Sequence, residues 1–179
     1  MKVGTSRQIK LISDLIKPVK DHPKPGILFY DITPLLNNNY AYRLAIDYMR
    51  LDAEEFDAHN KIAAVESRGF LFGSALSFHY RKDLILIRKK GKLPRKTVSE
   101  TYNLEYGTDT LEMHEDATSS FDDVILIDDV IATGHSAAAA IKLIESTGAK
   151  VVGCLFLLEI KNLNGRNNIK CPVKSLITV

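Results

Sequence analysis

Asp128 and Asp129, followed within a few residues by Thr133-Gly134-His135-Ser136, set two carboxylates beside a run of small residues rich in backbone and hydroxyl donors. The apolar, β-branched stretch Val124-Ile125-Leu126-Ile127 precedes the acids, and an Ala-rich segment over 137–145 that favours helix follows the small residues. The order is strand, loop, helix. At the carboxyl end of a buried strand such a loop faces a crevice, and the first N–H groups of the helix have no intrahelical partner. These donors, from Ala132 through Thr133, Gly134, His135 and Ser136, make an anion site suited to a terminal phosphate, with the Thr133 and Ser136 hydroxyls beside them. Two acids next to a phosphate cradle look contradictory until one ligand carries both a phosphate and vicinal hydroxyls. A sugar phosphate meets that condition: the acids accept from ribose hydroxyls while the amides take the 5′-phosphate. Taken alone, the acid pair reads equally well as the end of a strand and the cap of a helix.

The elements that must position this stretch follow from periodicity. Ser6 caps a predicted helix whose Ile9, Ile12, Leu15 and Ile16 recur at helical spacing and which Pro18 ends. A turn-rich linker, Asp21-His22-Pro23-Lys24-Pro25-Gly26, delivers an extended segment over 27–34, and a long helix with Leu44, Ile46, Met49 and Leu51 turned partly inward is predicted over 40–56. Ile62-Ala63-Ala64-Val65 reads as a short buried strand, followed by the turn Glu66-Ser67-Arg68-Gly69 and a helix over about 70–80. Leu84-Ile85-Leu86-Ile87 is a second buried strand, leading into the basic loop 88–96. Strand alternates with helix, so the fold class is α/β with a parallel, doubly wound sheet. Residues 101–106 and 110–114 alternate about Gly107-Thr108 and predict a hairpin projecting from that sheet. A long buried strand over 150–160 and a short one near 174–179 complete the set. With no repeat or boundary in view, residues 1–179 read as a single domain.

Composition excludes several classes. The 179 residues are 45% hydrophobic, as expected of an ordinary globular domain with a proper core. Lys and Arg number 24 against 22 acids, a formal net charge of +2, which argues against a general nucleic-acid binder. Cys154 and Cys171 have no metal-type spacing and fit reduced thiols of a cytoplasmic protein. The start lacks the apolar core of a signal peptide, and no apolar run is long enough to span a bilayer, so neither membrane nor nucleic acid is an expected partner. Neither GxGxxG nor GxxxxGK[ST] is present.

The stretch 124–136 closely resembles the loop that binds phosphoribosyl pyrophosphate (PRPP) in type I phosphoribosyltransferases. The family commonly carries a second glycine where this chain has His135, and a side chain there requires a φ that is negative or mildly left-handed. Four further pieces occur in family order and resemble its adenine-using branch: Pro25-Gly26-Ile27-Leu28-Phe29-Tyr30-Asp31-Ile32-Thr33-Pro34-Leu35, Glu66-Ser67-Arg68-Gly69-Phe70-Leu71-Phe72-Gly73, Ile87-Arg88-Lys89-Lys90-Gly91-Lys92-Leu93-Pro94 and Tyr102-Asn103-Leu104-Glu105-Tyr106-Gly107. The resemblance implies a type I phosphoribosyltransferase fold with a small hood over roughly 1–35 and a flap over roughly 95–116. It implies purine salvage: adenine and PRPP give AMP and pyrophosphate in a homodimer, with Mg²⁺ held through PRPP and water rather than by the protein. It places pyrophosphate at Glu66, Ser67, Arg68, Arg88, Lys89 and Lys92, with a non-proline cis peptide near Glu66-Ser67 and Arg88 reaching across the dimer. Arg68 and Glu105 are the implied catalytic groups, Glu105 handling a purine proton, and Tyr106 belongs to the flap. Adenine is expected against Leu28, Phe29, Tyr30 and Val130; a basic residue is frequent in the family at Tyr30. Taken without the family, Glu66-Ser67-Arg68-Gly69 is an ordinary surface turn, Glu105 an edge-strand acid and Phe29 a core aromatic. A phosphoribosyltransferase for another base and a PRPP- or purine-sensing regulator remain the alternatives.

Overall fold

The computed structural model describes residues 6–56, 58–103 and 107–179, and these fall into two compact units, Met1–Tyr48 and Met49–Val179. In the first, α1 (Ser6–Asp14) buries Ile12 completely. It stops short of Pro18. A residue before proline is pushed toward extended backbone, and residues Lys17–Lys20 accordingly form β1, which the periodicity did not reveal. β1 pairs antiparallel with β2 (Leu28–Asp31), Pro18 opposite Tyr30. The linker between them is a tight turn in which Gly26 adopts φ +84° and donates its N–H to the Asp21 carboxylate at 2.8 Å. The predicted extended segment ends early, because the Asp31 carboxylate accepts both the N–H and the hydroxyl of Thr33 at 2.8 Å and starts the short helix α2 (Thr33–Leu36). Pro34 is tolerated in its first turn, where an N–H has no partner to lose.

Helix α3 (Asn39–Ala53) runs from the first unit into the second. Its buried stripe is Ala41, Ala45, Met49 and Ala53 at four-residue spacing, so small residues rather than Leu44, Ile46 and Leu51 carry the close packing.

The second unit is a seven-stranded mixed sheet. Strands β3 (Lys61–Val65), β4 (Asp83–Lys89), β7 (Asp123–Ile131), β8 (Lys150–Glu159) and β9 (Val173–Thr178) run parallel, and β5 (Thr97–Asn103) and β6 (Thr108–His114) are antiparallel at one edge, in the order β5-β6-β4-β3-β7-β8-β9. The hairpin therefore extends the sheet rather than projecting from it: Arg88 and Lys89 of β4 pair with Glu112 and Leu111 of β6. Helices α4 (Gly69–Tyr80) and α5 (His135–Glu145) follow β3 and β7. Strand β8 is buried from Val151 to Glu159, as expected of a central parallel strand covered on both faces. Each wholly buried Phe72, Ile125, Met113 or Phe156 side chain contributes about 1.5–3 kcal/mol of apolar transfer. Gly73 lets α4 sit close on β3, since a Cβ there would lie 2.5 Å from that of Ala64. Among the described residues no helix is long and apolar enough to cross a membrane.

Candidate active site

The acid pair lies near the end of strand β7, which runs on through Val130 and Ile131, and the chain then turns through Ala132, Thr133 and Gly134 into α5. Gly134, with φ +79°, occupies the helix N-cap. Together with Asp128, Val130, Ile131, His135 and Ala137, the loop and Ser136 line a cavity of about 100 Å³. The amides opening α5 are those a helix leaves without intrahelical acceptors, at its positive end. His135 is the first helical residue and its side chain is exposed, so the departure from glycine leaves the turn intact.

Asp129 is 5% exposed and its Oδ2 lies 2.8 Å from Arg68 Nε, but off the hydrogen-bonding direction, so that oxygen has no hydrogen-bond donor among the described residues. Asp128 Oδ1 accepts the Asp129 N–H at 2.8 Å. Gly69 lets α4 approach this point: a Cβ there would stand 2.7 Å from Asp128 Oδ1. Burial, and then the neighbouring Asp129 charge, push the Asp128 carboxyl well above its ordinary range. Burial also raises Asp129, against the pull of Arg68. A buried carboxylate oxygen without a donor, next to an acid that lines the cavity, is matched by a ligand that brings hydroxyls. No group of three His, Cys, Asp or Glu able to hold a metal ion occurs among the described residues.

The Glu66-Ser67 peptide is cis, as the resemblance implies. The Glu66 side chain is 5% exposed and is gripped by two cations, accepting from Arg88 Nε at 2.9 Å and Lys92 Nζ at 2.6 Å. Burial would raise this carboxyl, but the bonds from Lys92 and Arg88 outweigh it and hold it below the usual range. An ionised carboxylate has no donor to offer an anion. The Glu66 side chain therefore holds Arg88 and Lys92 in place, which leaves the backbone amides of this turn as the groups that could meet pyrophosphate. Arg68 lies against Asp129, Ser67 lies in the turn between Glu66 and Arg68, and Lys89 Nζ is 3.0 Å from Asp109 Oδ2, a bond that raises the Lys89 pKa.

Two supporting groups had no sequence reading. Asp109, across the hairpin from Tyr102, also accepts the Tyr102 hydroxyl at 3.4 Å, and Tyr102 in turn accepts the Ser136 hydroxyl at 3.3 Å, so the hairpin is tied to both Lys89 and α5. The second is the 3-10 turn Gly165–Asn168. Asn168 Nδ2 donates to the Thr133 carbonyl at 2.8 Å, and Gly165 fits beneath Gly134 so closely that a Cβ on either would meet the other's strand-loop backbone within 2.3 Å. Arg166 clamps this turn to the sheet, donating to both Glu159 carboxylate oxygens at 2.6 and 2.5 Å and to Ser175 Oγ at 2.7 Å. The dipeptide Asn164-Gly165 announces a turn, but nothing in it names the partner.

Leu28, Phe29 and Tyr30 belong to the first unit, Leu28 exposed and the other two half-buried, with the His22 ring edge-on to Phe29 at 5.0 Å between centroids. Val130 lines the loop cavity of the second unit. Glu105 and Tyr106 lie outside the described residues.

The model of the phosphoribosyl transferase domain matches residues 39–178. The chain belongs to the phosphoribosyltransferase family. Within it, the chain is 52% identical over 169 residues to the adenine phosphoribosyltransferase of Brachyspira hyodysenteriae, covering 93% of this chain and 98% of that protein. Among solved structures it is similar to adenine phosphoribosyltransferase from Rhodothermus marinus, with a TM-score of 0.93 and 43% identity over 98% of this chain and all of that one. The Saccharomyces cerevisiae enzyme, solved with adenine and an imino-altritol bisphosphate, gives a TM-score of 0.91 at 35% identity over 96% of this chain and 99% of that one.

The Glu66 arrangement carries an expected result. Glu66→Gln preserves shape but removes the charge that orders Arg88 and Lys92. Steady-state kinetics should show KM for PRPP rising about tenfold, the ~1.4 kcal/mol of one charge-assisted interaction, with KM for adenine nearly unchanged. An unchanged KM for PRPP would mean that the two cations reach pyrophosphate without their anchor.

Proposed function

We propose that the protein transfers the 5-phosphoribosyl group of PRPP to N9 of adenine, giving AMP and pyrophosphate in purine salvage. The observation that carries this reading is the cavity at the start of α5, lined by the loop over 132–136 and by Asp128, with the buried Asp129 carboxylate next to Asp128 in the chain. The names of the related enzymes, and the adenine bound to the yeast one, support the choice of base.

In this reading the loop amides of Ala132, Thr133, Gly134, His135 and Ser136 hold the 5′-phosphate, and Asp128 and Asp129 accept from the ribose 2′- and 3′-hydroxyls. The C1′–O bond to pyrophosphate breaks as adenine N9 bonds to C1′, through an oxocarbenium-like transition state. Arg68, Lys89 and, held by Glu66, Arg88 and Lys92 take up the charge gathering on the leaving pyrophosphate. The oxygen-only donors of Asp128 and Asp129 suit Mg²⁺ carried in by PRPP, which would neutralise leaving-group charge while reached through substrate oxygens and water. Adenine stacks on Phe29 and pairs with the backbone of Leu28 to Tyr30, and Glu105 takes up the purine proton as Tyr106 helps close the flap. A cytoplasmic homodimer completes the proposal.

The test is formation of labelled AMP from labelled adenine, PRPP and Mg²⁺ with hypoxanthine or guanine in large excess. Backbone pairing that reads the adenine amino group against its ring nitrogen should reject 6-oxo purines by a hundredfold or more. Suppression of AMP by either competitor would reassign the base, and tight PRPP binding without turnover on any base would favour a sensor.

A further inference from the structure

The two cysteines lie far apart in the chain and together in the fold. Cys154, in β8, is wholly buried, Cys171 in the bend before β9 is half-exposed, and their sulfurs are 3.4 Å apart. The backbone holds them in this relation: the Cys154 N–H donates to the Pro172 carbonyl at 2.9 Å, and Cys154 is registered against Val173 across the β8–β9 ladder. We propose that Cys154 and Cys171 form a reversible thiol–disulfide site, in which peroxide oxidises the accessible Cys171 and the buried Cys154 resolves it.

A buried cysteine alone is an inert small apolar residue. This pair differs in joining a partly buried cysteine to a buried one at contact distance. Closing the gap from 3.4 Å to the roughly 2 Å of a disulfide needs about 1.4 Å of movement, which the bend beside Cys171 can supply. The two thiols are also unequal. The hydrogen bond between them pulls Cys171 below the usual thiol value and, with burial, pushes Cys154 well above it. Cys171 is thus the more readily ionised thiol of the two, and Cys154 the one that holds its proton more tightly. The Glu145 carboxylate on α5 opposes both ionisations, as a lesser influence. The chemistry balances in two steps. The Cys171 thiolate attacks a peroxide oxygen, the O–O bond breaks and hydroxide leaves, giving the sulfenic acid. Cys154 sulfur then attacks Cys171 sulfur, its proton leaves with the hydroxyl as water, and the disulfide forms.

The test uses the reduced full-length protein treated with a few equivalents of hydrogen peroxide, followed by thiol counting, non-reducing gel and peptide mapping. The expected result is loss of both thiols, a cross-linked peptide containing Cys154 and Cys171 that is about 2 Da lighter than the reduced pair, no chain-to-chain species, and recovery with dithiothreitol. Cys154→Ser should stop the reaction at a dimedone-trappable sulfenic acid on Cys171, and Cys171→Ser should leave Cys154 unoxidised. Persistence of both thiols, stable oxygenation of Cys171 with the Cys154 thiol intact in the wild-type protein, or faster oxidation of Cys154 than of Cys171 would overturn the proposal.

Discussion

Asp128→Asn will leave the protein more resistant to heat and at least tenfold less active. The site places two carboxylates together near the end of β7, where burial and mutual repulsion raise the Asp128 carboxyl. An acid whose folded-state pKa is raised contributes stability while it is protonated and loses it as pH rises through that pKa. At neutral pH the wild-type fold therefore carries a penalty that asparagine removes, while the amide oxygen can still accept the Asp129 N–H. At roughly 2–4 °C per kcal/mol for a chain of this size, the midpoint should rise by a few degrees at pH 7, and the gap between variant and wild type should close as pH falls. Activity moves the other way. Asn retains an acceptor but loses the charge assistance to a ribose hydroxyl, and the double variant with Asp129→Asn loses it at both. A loss of about 1.5–3 kcal/mol for the single change and more for the pair predicts kcat/KM for PRPP down by ten- to a hundredfold or more. Differential scanning calorimetry across pH and initial-rate kinetics check the two halves. A variant that is both less stable and fully active would mean that the pair only ends a strand.

The second large effect is expected at Gly134. With φ +79°, and with a built Cβ 2.2 Å from the Gly165 carbonyl oxygen, alanine meets both backbone strain and a clash with backbone that has no flexible end to swing away. Left-handed backbone costs roughly 1–3 kcal/mol for a residue with a Cβ, and displacing the Gly165 turn adds to it. Gly134→Ala should lower the melting midpoint by about 5–10 °C and weaken ribose 5-phosphate binding more than tenfold, because the displaced turn also carries the Asn168 bond to the Thr133 carbonyl. Gly165→Ala separates the two causes. Its φ is not positive, yet its Cβ would stand 2.3 Å from the Ala132 carbonyl, so it should reproduce the binding loss from the clash alone. Calorimetric titration with ribose 5-phosphate reads the result, and unaltered binding in both variants would remove the turn from the account.

What the sequence makes legible here follows from the range of the interactions. The β7–loop–α5 stretch can be read directly, since a buried parallel strand is a continuous apolar run and a phosphate loop announces itself by small residues ahead of a helix. The parallel sheet follows from the same alternation, and the five parallel strands appear where apolar runs predict them. Strand β1 is not legible: Lys17-Pro18-Val19-Lys20 is wholly exposed, with no alternation to distinguish it from the end of a helix. In α3 the eye is drawn to large apolar residues, whereas close packing selected Ala41, Ala45 and Ala53. At the site, the acids and cations are visible as residue types, but their pairing is not. Glu66 meets Arg88 and Lys92 across 22 and 26 residues, and Thr133 meets Asn168 across 35. Such partners are decided by strand order, which local pattern does not encode. The consequence is functional: the side chain of Glu66 holds two cations in place beside the turn expected to meet pyrophosphate.

The most direct test of the account is to mix the protein with adenine, PRPP and Mg²⁺ and to measure AMP and pyrophosphate together. The account predicts the two products in equal amounts, dependent on both substrates and abolished in the Asp128→Asn, Asp129→Asn protein. Pyrophosphate released without AMP, or AMP formed undiminished by the double variant, would contradict it.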